Sequence, residues 1–323
     1  MPPADAPFVL THSDHLALIG SCFTEHLGDR LRRVKFRTLV NPNGIVYNPV
    51  SIGQCIGRAL APEPYTREAL FALNDLWHSW DHHGHFSAPA AEETLGRIQR
   101  AFDEAHAVFT ESCTCLMITL GTAQVHRLAE TGQVVANNHK APANWFTHHT
   151  LRVQEVIDAL APALETLAHR RPGLRVVLTV SPVRHLRLGM VENQRSKAVL
   201  VLACAELERL FPNAWYFPAY ELLLDDLRDY RFYTPDMLHP AQPAIQYIWD
   251  YFCRAVFSES TIRLVHRLEK LVLASAHRPF NPETPAHQKF CLERLAEIAD
   301  IRAQHPDIDL NEEKIHFEQL LNR

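Results

Sequence analysis

The sequence predicts an α/β fold: a mainly parallel sheet with helices on both faces. Short aliphatic runs alternate with amphipathic stretches of helical period through the first 257 residues. That alternation calls for crossover connections, and so for parallel neighbours. Polar clusters follow Ile19, Val40, Leu120 and Val180, at the carboxyl ends of predicted strands. Sheets of this kind bind ligands at those ends, so the clusters converge on one candidate site.

The elements follow in order. Leu16 to Ile19 is short and aliphatic and reads as a buried strand. Gly20 permits a tight turn, Ser21 and Thr24 are both candidate N-caps, and Glu25 to Arg33 continues as a helix. Val34 to Val40 is a second strand, followed by the turn-rich stretch Asn41 to Pro49. Val50–Leu60 and Thr66–Leu73 read as helices, Trp77–Phe86 as a loop and Ala90–Val108 as a long helix. Thr114 to Leu120 is a strand ending at Gly121, and Val125–Leu128 with Gln133–Val135 flank Thr131-Gly132 as a hairpin. A helix from Leu151 to Ala168, a β-branched strand from Leu174 to Val180, a helix from Ser196 to Leu210 and a short strand from Ala214 to Phe217 complete the alternation. A helix from about Pro243 to Phe257 closes a domain spanning residues 1–257. Residues 258–323 form a helical extension: a basic amphipathic helix near Ile262–Ala276, a break at Pro279, Pro282 and Pro285, and helices near Gln288–Gln304 and Asn311–Leu321.

Bulk properties narrow the class. A formal net charge of −5, a pI near 6.5, 47% hydrophobic and 21% charged residues in 323 describe an ordinary soluble protein, with no global pull towards nucleic acid or an anionic membrane. No apolar run is long enough to span a bilayer. The opening Met1–Pro7 has no basic n-region and no apolar core, and reads as a short disordered lead-in, not a secretory signal. Seven irregularly spaced cysteines, an odd count mostly in apolar runs, predict reduced thiols and a cytoplasmic protein.

The chemistry centres on the strand–turn–helix at Ile19–Thr24. Such a turn displays a side chain at the end of a sheet, where a helix N-terminus stabilises negative charge. Two nucleophile candidates stand there side by side, Ser21 and Cys22. Asp236 and His239, three residues apart, can present a carboxylate and an imidazole to one site. Asn137-Asn138-His139-Lys140 and Ser181-Pro182-Val183-Arg184-His185 are further polar clusters. His78, His82, His83, His85 and Asp81 invite a metal reading, but their spacing matches no standard ligand pair, and the expectation is an exposed or substrate-lining loop with no metal and no cofactor.

Leu18-Ile19-Gly20-Ser21-Cys22-Phe23-Thr24 resembles the signature of the GSCFA family, with Thr24 in place of its alanine. The resemblance continues through Asn43–Pro49, Leu120–Ala123, Asn137–Lys140, Ser181–His185 and Leu227–Pro240, covering roughly residues 8–257. It implies a branch of the SGNH (GDSL-type) hydrolases and transferases: a three-layer α/β/α sandwich with a flavodoxin-like sheet, acting by ester or acyl chemistry. On that pattern Cys22 falls at the nucleophile position and Ser21 where an aspartate would stand, so Cys22 is favoured over Ser21. His239 becomes the base, Asp236 its partner and Gly44 an oxyanion donor. Ala123 replaces the expected third donor, an asparagine, and Asn137 is the candidate substitute. His139, a rival base, joins Lys140, Arg184, His185, Arg231 and Tyr233 as candidate substrate contacts; arginines there suit an anionic group. The implied substrate is a small-molecule or glycan acyl ester. A non-catalytic ligand-binding domain is the alternative.

Overall fold

The computed structural model describes residues 5–61, 63–277, 280–281 and 283–321. Residues 1–4 of the predicted lead-in, and Pro279 and Pro282 of the proline-rich break, lie outside the described residues. The first half contains β1 (His15–Gly20), α1 (Cys22–Arg33), β2 (Arg37–Val40), α2 (Pro49–Leu60), β3 (Leu70–Leu73), β4 (Leu76–Ser79), α3 (Ala91–Ala107), β5 (Cys115–Leu120), β6 (Gln124–Leu128), β7 (Val134–Val135) and β8 (Phe146–Thr150). The second contains α4 (Val153–Arg170), β9 (Arg175–Val180), α5 (Met190–Leu210), β10 (Ala214–Tyr216), the short turn α6 (Ala219–Glu221), α7 (Gln242–Val256), α8 (Glu259–Ala276), α9 (Pro285–Gln304) and α10 (Asn311–Leu321).

The central sheet has five strands in the order β2-β1-β5-β9-β10, every pair parallel. This is the flavodoxin-like order, as the resemblance implied. The chain winds one way from β1 to β2 and the other way through β5, β9 and β10. The crevice where the winding reverses opens at the carboxyl end of β1, and Ser21 and Cys22 stand there.

Strand period sorts the core into two layers. Ala17, Ile19, Leu116, Ile118, Val176 and Leu178 point to one face, under α2, α4 and α5. Leu16, Leu18, Cys115, Met117 and Val177 point to the other, under α1 and α7. The second core continues without a break into Leu264 and Leu268 of α8, Ile298 and Ile301 of α9 and Phe317 of α10. The C-terminal helices therefore pack on the α/β body. A largely buried ion pair, Lys35 Nζ to Glu313 Oε1 at 2.6 Å, fastens α10 to the turn after α1.

Two local expectations are corrected. Thr66–Leu73 is not a helix: a 3₁₀ turn at Arg67–Ala69 leads into β3, which pairs antiparallel with β4. The reversal uses Asn74 and Asp75 at φ of 49° and 61°, the left-handed geometry of a two-residue hairpin. Nor is Trp77–Phe86 simply a loop, because β4 takes up Trp77–Ser79, and His78 and His82 are buried. The predicted hairpin β6–β7 is present, and β8, which was not anticipated, pairs on its other side.

Candidate active site

The turn after β1 is held by backbone. Gly20 sits at φ 149°, and a Cβ there would lie 2.2 Å from the Thr119 carbonyl oxygen, so only glycine lets β1 and β5 run this close. Its N–H donates to Asn41 Oδ1 at 2.9 Å, and the Ser21 N–H donates to Thr119 O at 3.3 Å. Ser21, not Thr24, is the N-cap of α1: its Oγ accepts from the Phe23 N–H at 3.3 Å. The serine is 1% exposed and faces into the protein. Cys22 is the first residue of α1 and the only cysteine among the described residues that is not buried. Burial, then the Glu25 carboxylate, pushes its thiol above the ordinary range; its own N–H, that of Phe23 and the Lys197 ammonium oppose this.

His239 and Asp236 are joined as expected. His239 Nδ1 donates to Asp236 Oδ2 at 2.7 Å. Asp236 Oδ1 accepts the Thr234 hydroxyl at 2.6 Å and the N–H groups of Leu238 and His239 at 2.8 and 3.1 Å. These bonds, the Thr234 hydroxyl first, hold the carboxyl well below its usual range. Both side chains are a little under half exposed. His239 acts on His26, whose imidazole is lowered mainly by burial, with Asp29 and Glu25 opposing and His239 adding to the depression. His26 is one turn along α1 from Cys22. No hydrogen bond joins Cys22 to His239 among the described residues.

The expected oxyanion donors fare differently. The Cys22 N–H belongs to the first turn of α1, where N–H groups have no intrahelical acceptor. Gly44, at φ 75°, spends its N–H on the Asn41 carbonyl at 2.7 Å, so it shapes the loop and does not present a donor; this corrects its expected role. The N–H groups of Gly121 and Thr122 are likewise taken, both by Tyr47 O, at 2.8 and 3.0 Å. Asn137 accepts the His139 N–H on Oδ1 at 2.8 Å, which leaves its amide nitrogen to donate.

The remaining candidates divide into four settings. Arg184 lies over the Tyr233 ring at 4.1 Å and donates to Met237 O at 3.3 Å, bracing the turn that carries His239. Arg231 is exposed and pairs loosely with Asp229 at 3.8 Å. His185 lies 6.5 Å from the Tyr47 ring and helps to line a cleft of about 230 Å³ with Gln124, His126, His148 and Arg187. His139 packs against β4. Its Nε2 bonds Ser79 O at 2.8 Å, its ring packs against His78 and Trp80, and burial holds it neutral with a pKa of about 4, which leaves it poorly suited to be a base. Lys140 beside it is exposed. No group of three or more His, Cys, Asp or Glu side chains among the described residues is placed to hold a metal ion.

One residue escaped notice in the sequence. Lys197 of α5 is 1% exposed, and its Nζ donates to Gly121 O and Ser181 O, both at 2.7 Å. It therefore bridges the carboxyl ends of β5 and β9. Burial lowers its pKa to about 7, and Cys22 acts against that lowering. A signal was present: Asn193, Lys197, Leu200, Cys204 and Leu207 form the buried stripe of α5, and a lysine interrupts it.

Fold and site together define a doubly wound α/β protein with a cysteine turn at its switch point and an Asp–His pair on a late loop. Within that class the chain belongs to the GSCFA family, which it matches over residues 15–252, and residues 268–323 match the GSCFA domain protein C-terminal domain. Among solved structures it is similar to a carbohydrate esterase family 3 protein from Talaromyces cellulolyticus, at 8% identity and a TM-score of 0.38, covering 78% of this chain and 98% of that one. It is also similar to an acetyl xylan esterase from the rumen bacterium Butyrivibrio proteoclasticus, at 12% identity and a TM-score of 0.37, covering 76% of this chain and 65% of that one. No curated protein matches the sequence. Among the described residues no helix is long and apolar enough to cross a membrane.

Proposed function

We propose that the protein is an acyl-transfer enzyme, an esterase or O-acyltransferase, acting on an acylated small molecule or glycan. Cys22 Sγ attacks the acyl carbonyl, and the tetrahedral oxyanion forms against the Cys22 N–H and the Asn137 amide. His239 takes the thiol proton and returns it to the leaving alcohol, while Asp236 fixes its tautomer and stabilises the imidazolium. Water or an acceptor hydroxyl then releases the acyl group from sulfur. Two observations support this reading: the one cysteine among the described residues that is not buried follows the carboxyl end of β1, and Asp236 and His239 form a hydrogen-bonded carboxylate–imidazole pair on a late loop. Burial of Ser21 in a capping role supports Cys22 as the nucleophile.

The committed N–H of Gly44 favours a second reading, a site that binds acylated ligands without turning them over. Hydrolysis of p-nitrophenyl acetate and of short acyl thioesters separates the two. Acyl transfer requires turnover that falls to background in both Cys22→Ala and His239→Ala and ignores chelator. Absence of turnover with every acyl donor, with ligand binding unchanged in both variants, establishes the second reading.

A further inference from the structure

The cleft of about 230 Å³ lies between the start of β6, the end of β8 and the 3₁₀ turn Leu186–Leu188 that follows β9. The imidazoles of His126, His148 and His185 line it, with the Gln124 amide and the Arg187 guanidinium. That set is rich in donors and short of acceptors. Arg187 Nη1 donates to His126 Nε2 at 3.4 Å, so a neutral His126 carries its proton on Nδ1. The other N–H groups of the guanidinium have no partner among the described residues, and no carboxylate there pairs with it. Gln124 Nε2 and His185 Nδ1 are buried without hydrogen-bond partners. A buried N–H without an acceptor is the rarer and costlier orphan. A neutral His185 therefore keeps its proton on Nε2, and a half-turn of the Gln124 amide brings its NH₂ to the cleft side. The one carboxylate bonded to the cleft wall, Glu155, is already spent on His149 Nε2 at 3.0 Å and the Arg152 N–H at 2.9 Å. Burial first, then His148, Arg187 and His185, hold His126 neutral with a pKa of about 4. Burial, then Lys197 and Arg187, lower His185. Every group that acts by charge on these two imidazoles is basic.

We propose that this cleft is a binding site for an oxyanion, a carboxylate or a phosphate, held by the Arg187 guanidinium and the N–H groups of His126, His185 and Gln124. The guanidinium's planar fork matches two oxygens of either group. The volume suits one such group and is too small for a whole drug-sized ligand. A metal ion is the wrong occupant. Arg187 repels it, and no group of three or more ligating side chains among the described residues is placed to hold one. Tyr47 joins the cleft to the candidate active site: its ring lies 6.5 Å from that of His185, and the N–H of its neighbour Val46 donates to Gly20 O at 3.0 Å, in the turn that carries Cys22. Two sources of the anion fit that position, a free ion and an anionic substituent of an acylated substrate.

The site does not depend on acyl chemistry, and its test needs no acyl substrate. Sodium phosphate and sodium acetate are titrated at pH 6.5 and constant ionic strength, and the imidazole Hε1 resonances of His126 and His185, assigned by single substitutions, are followed. Saturable shifts are expected for at least one of the two anions, with a Kd of millimolar order. Arg187 is exposed, so Arg187→Met should fold. It should weaken that binding on the order of tenfold, the effect of losing a charge-assisted bond. Arg209→Met makes the same charge change in the last turn of α5 and should leave the affinity unaltered. Shifts that saturate with neither anion, or equal affinity in the wild type and Arg187→Met, overturn the proposal. Esters tell the two sources apart, through KM for p-nitrophenyl hemisuccinate and for its neutral analogue p-nitrophenyl butyrate. An anion carried by the substrate makes Arg187→Met raise KM severalfold for the hemisuccinate alone, whereas a free ion leaves both values unchanged. A protein that turns over neither ester refutes the acyl-transfer reading, and the phosphate and acetate titrations still decide the site.

Discussion

The two halves of the candidate site are built on different physics. Cys22 stands on the rigid side. Its turn is set by strand pairing, a glycine pressed against a carbonyl and a buried cap, and its thiol is tuned by burial and by charges on neighbouring elements. Asp236 and His239 stand on an exposed turn, and their geometry comes from bonds made within six residues, Thr234 to His239. The lesson is a division of labour. A thiol whose protonation responds to burial sits where the dielectric is low, whereas an imidazole–carboxylate pair is left near water and oriented locally.

Variants can break that contrast at either end. The largest effect belongs to the proposed nucleophile: Cys22→Ala should reduce ester turnover by on the order of 10⁴-fold with the fold intact, measured as kcat on p-nitrophenyl acetate. Asp236→Asn should follow, lowering kcat by roughly 10²–10³-fold with little change in KM or melting temperature, because the exposed turn orients the imidazole without supporting the core. A loss of thermal stability in that variant would show that the exposed half also carries structure. Gly20→Ala tests the rigid half. A methyl group 2.2 Å from Thr119 O, at a φ that L-residues avoid, should cost about 3 kcal/mol or more, seen as a lowered denaturant midpoint.

Lys197 gives the pH dependence of stability its sign. Its folded pKa, about 7, is below its unfolded value of 10.5, so between these limits the unfolded chain holds a proton that the folded chain lacks. Stability must therefore rise with pH above 7, with a slope of up to about 1.4 kcal/mol per pH unit. Above about pH 9 the buried thiols, whose pKa values are raised, oppose it. The rise from pH 7 to 9 should vanish in Lys197→Met, as read by denaturant melts. The smallest effect is Glu25→Gln, which removes an exposed charge that raises the Cys22 thiol. It should speed alkylation at pH 8 by about two- to threefold, and less in high salt.

Much of this was legible in the sequence. The alternation of aliphatic and amphipathic runs determined the parallel sheet and its two helical layers, because period-2 and period-3.6 patterns follow from local geometry alone. The Asp236–His239 contact was likewise legible, since it closes within one turn. The β3–β4 hairpin was misread because Leu70–Leu73 is too short for period to separate strand from helix; the Asn74-Asp75 pair was the better guide.

What only the tertiary structure decided is how distant groups are spent. Adjacent in sequence, Ser21 and Cys22 look equivalent, and packing sends one inward as a cap and leaves the other partly exposed. Gly44 carries the right residue type for an oxyanion donor, yet a turn consumes its N–H. Lys197 lies 175 positions beyond Cys22, and α5 brings it to the strand ends beside that turn. Sequence fixes a residue's chemistry and its local partners; burial and long-range charge, which set protonation and availability, exist only once the chain has closed on itself.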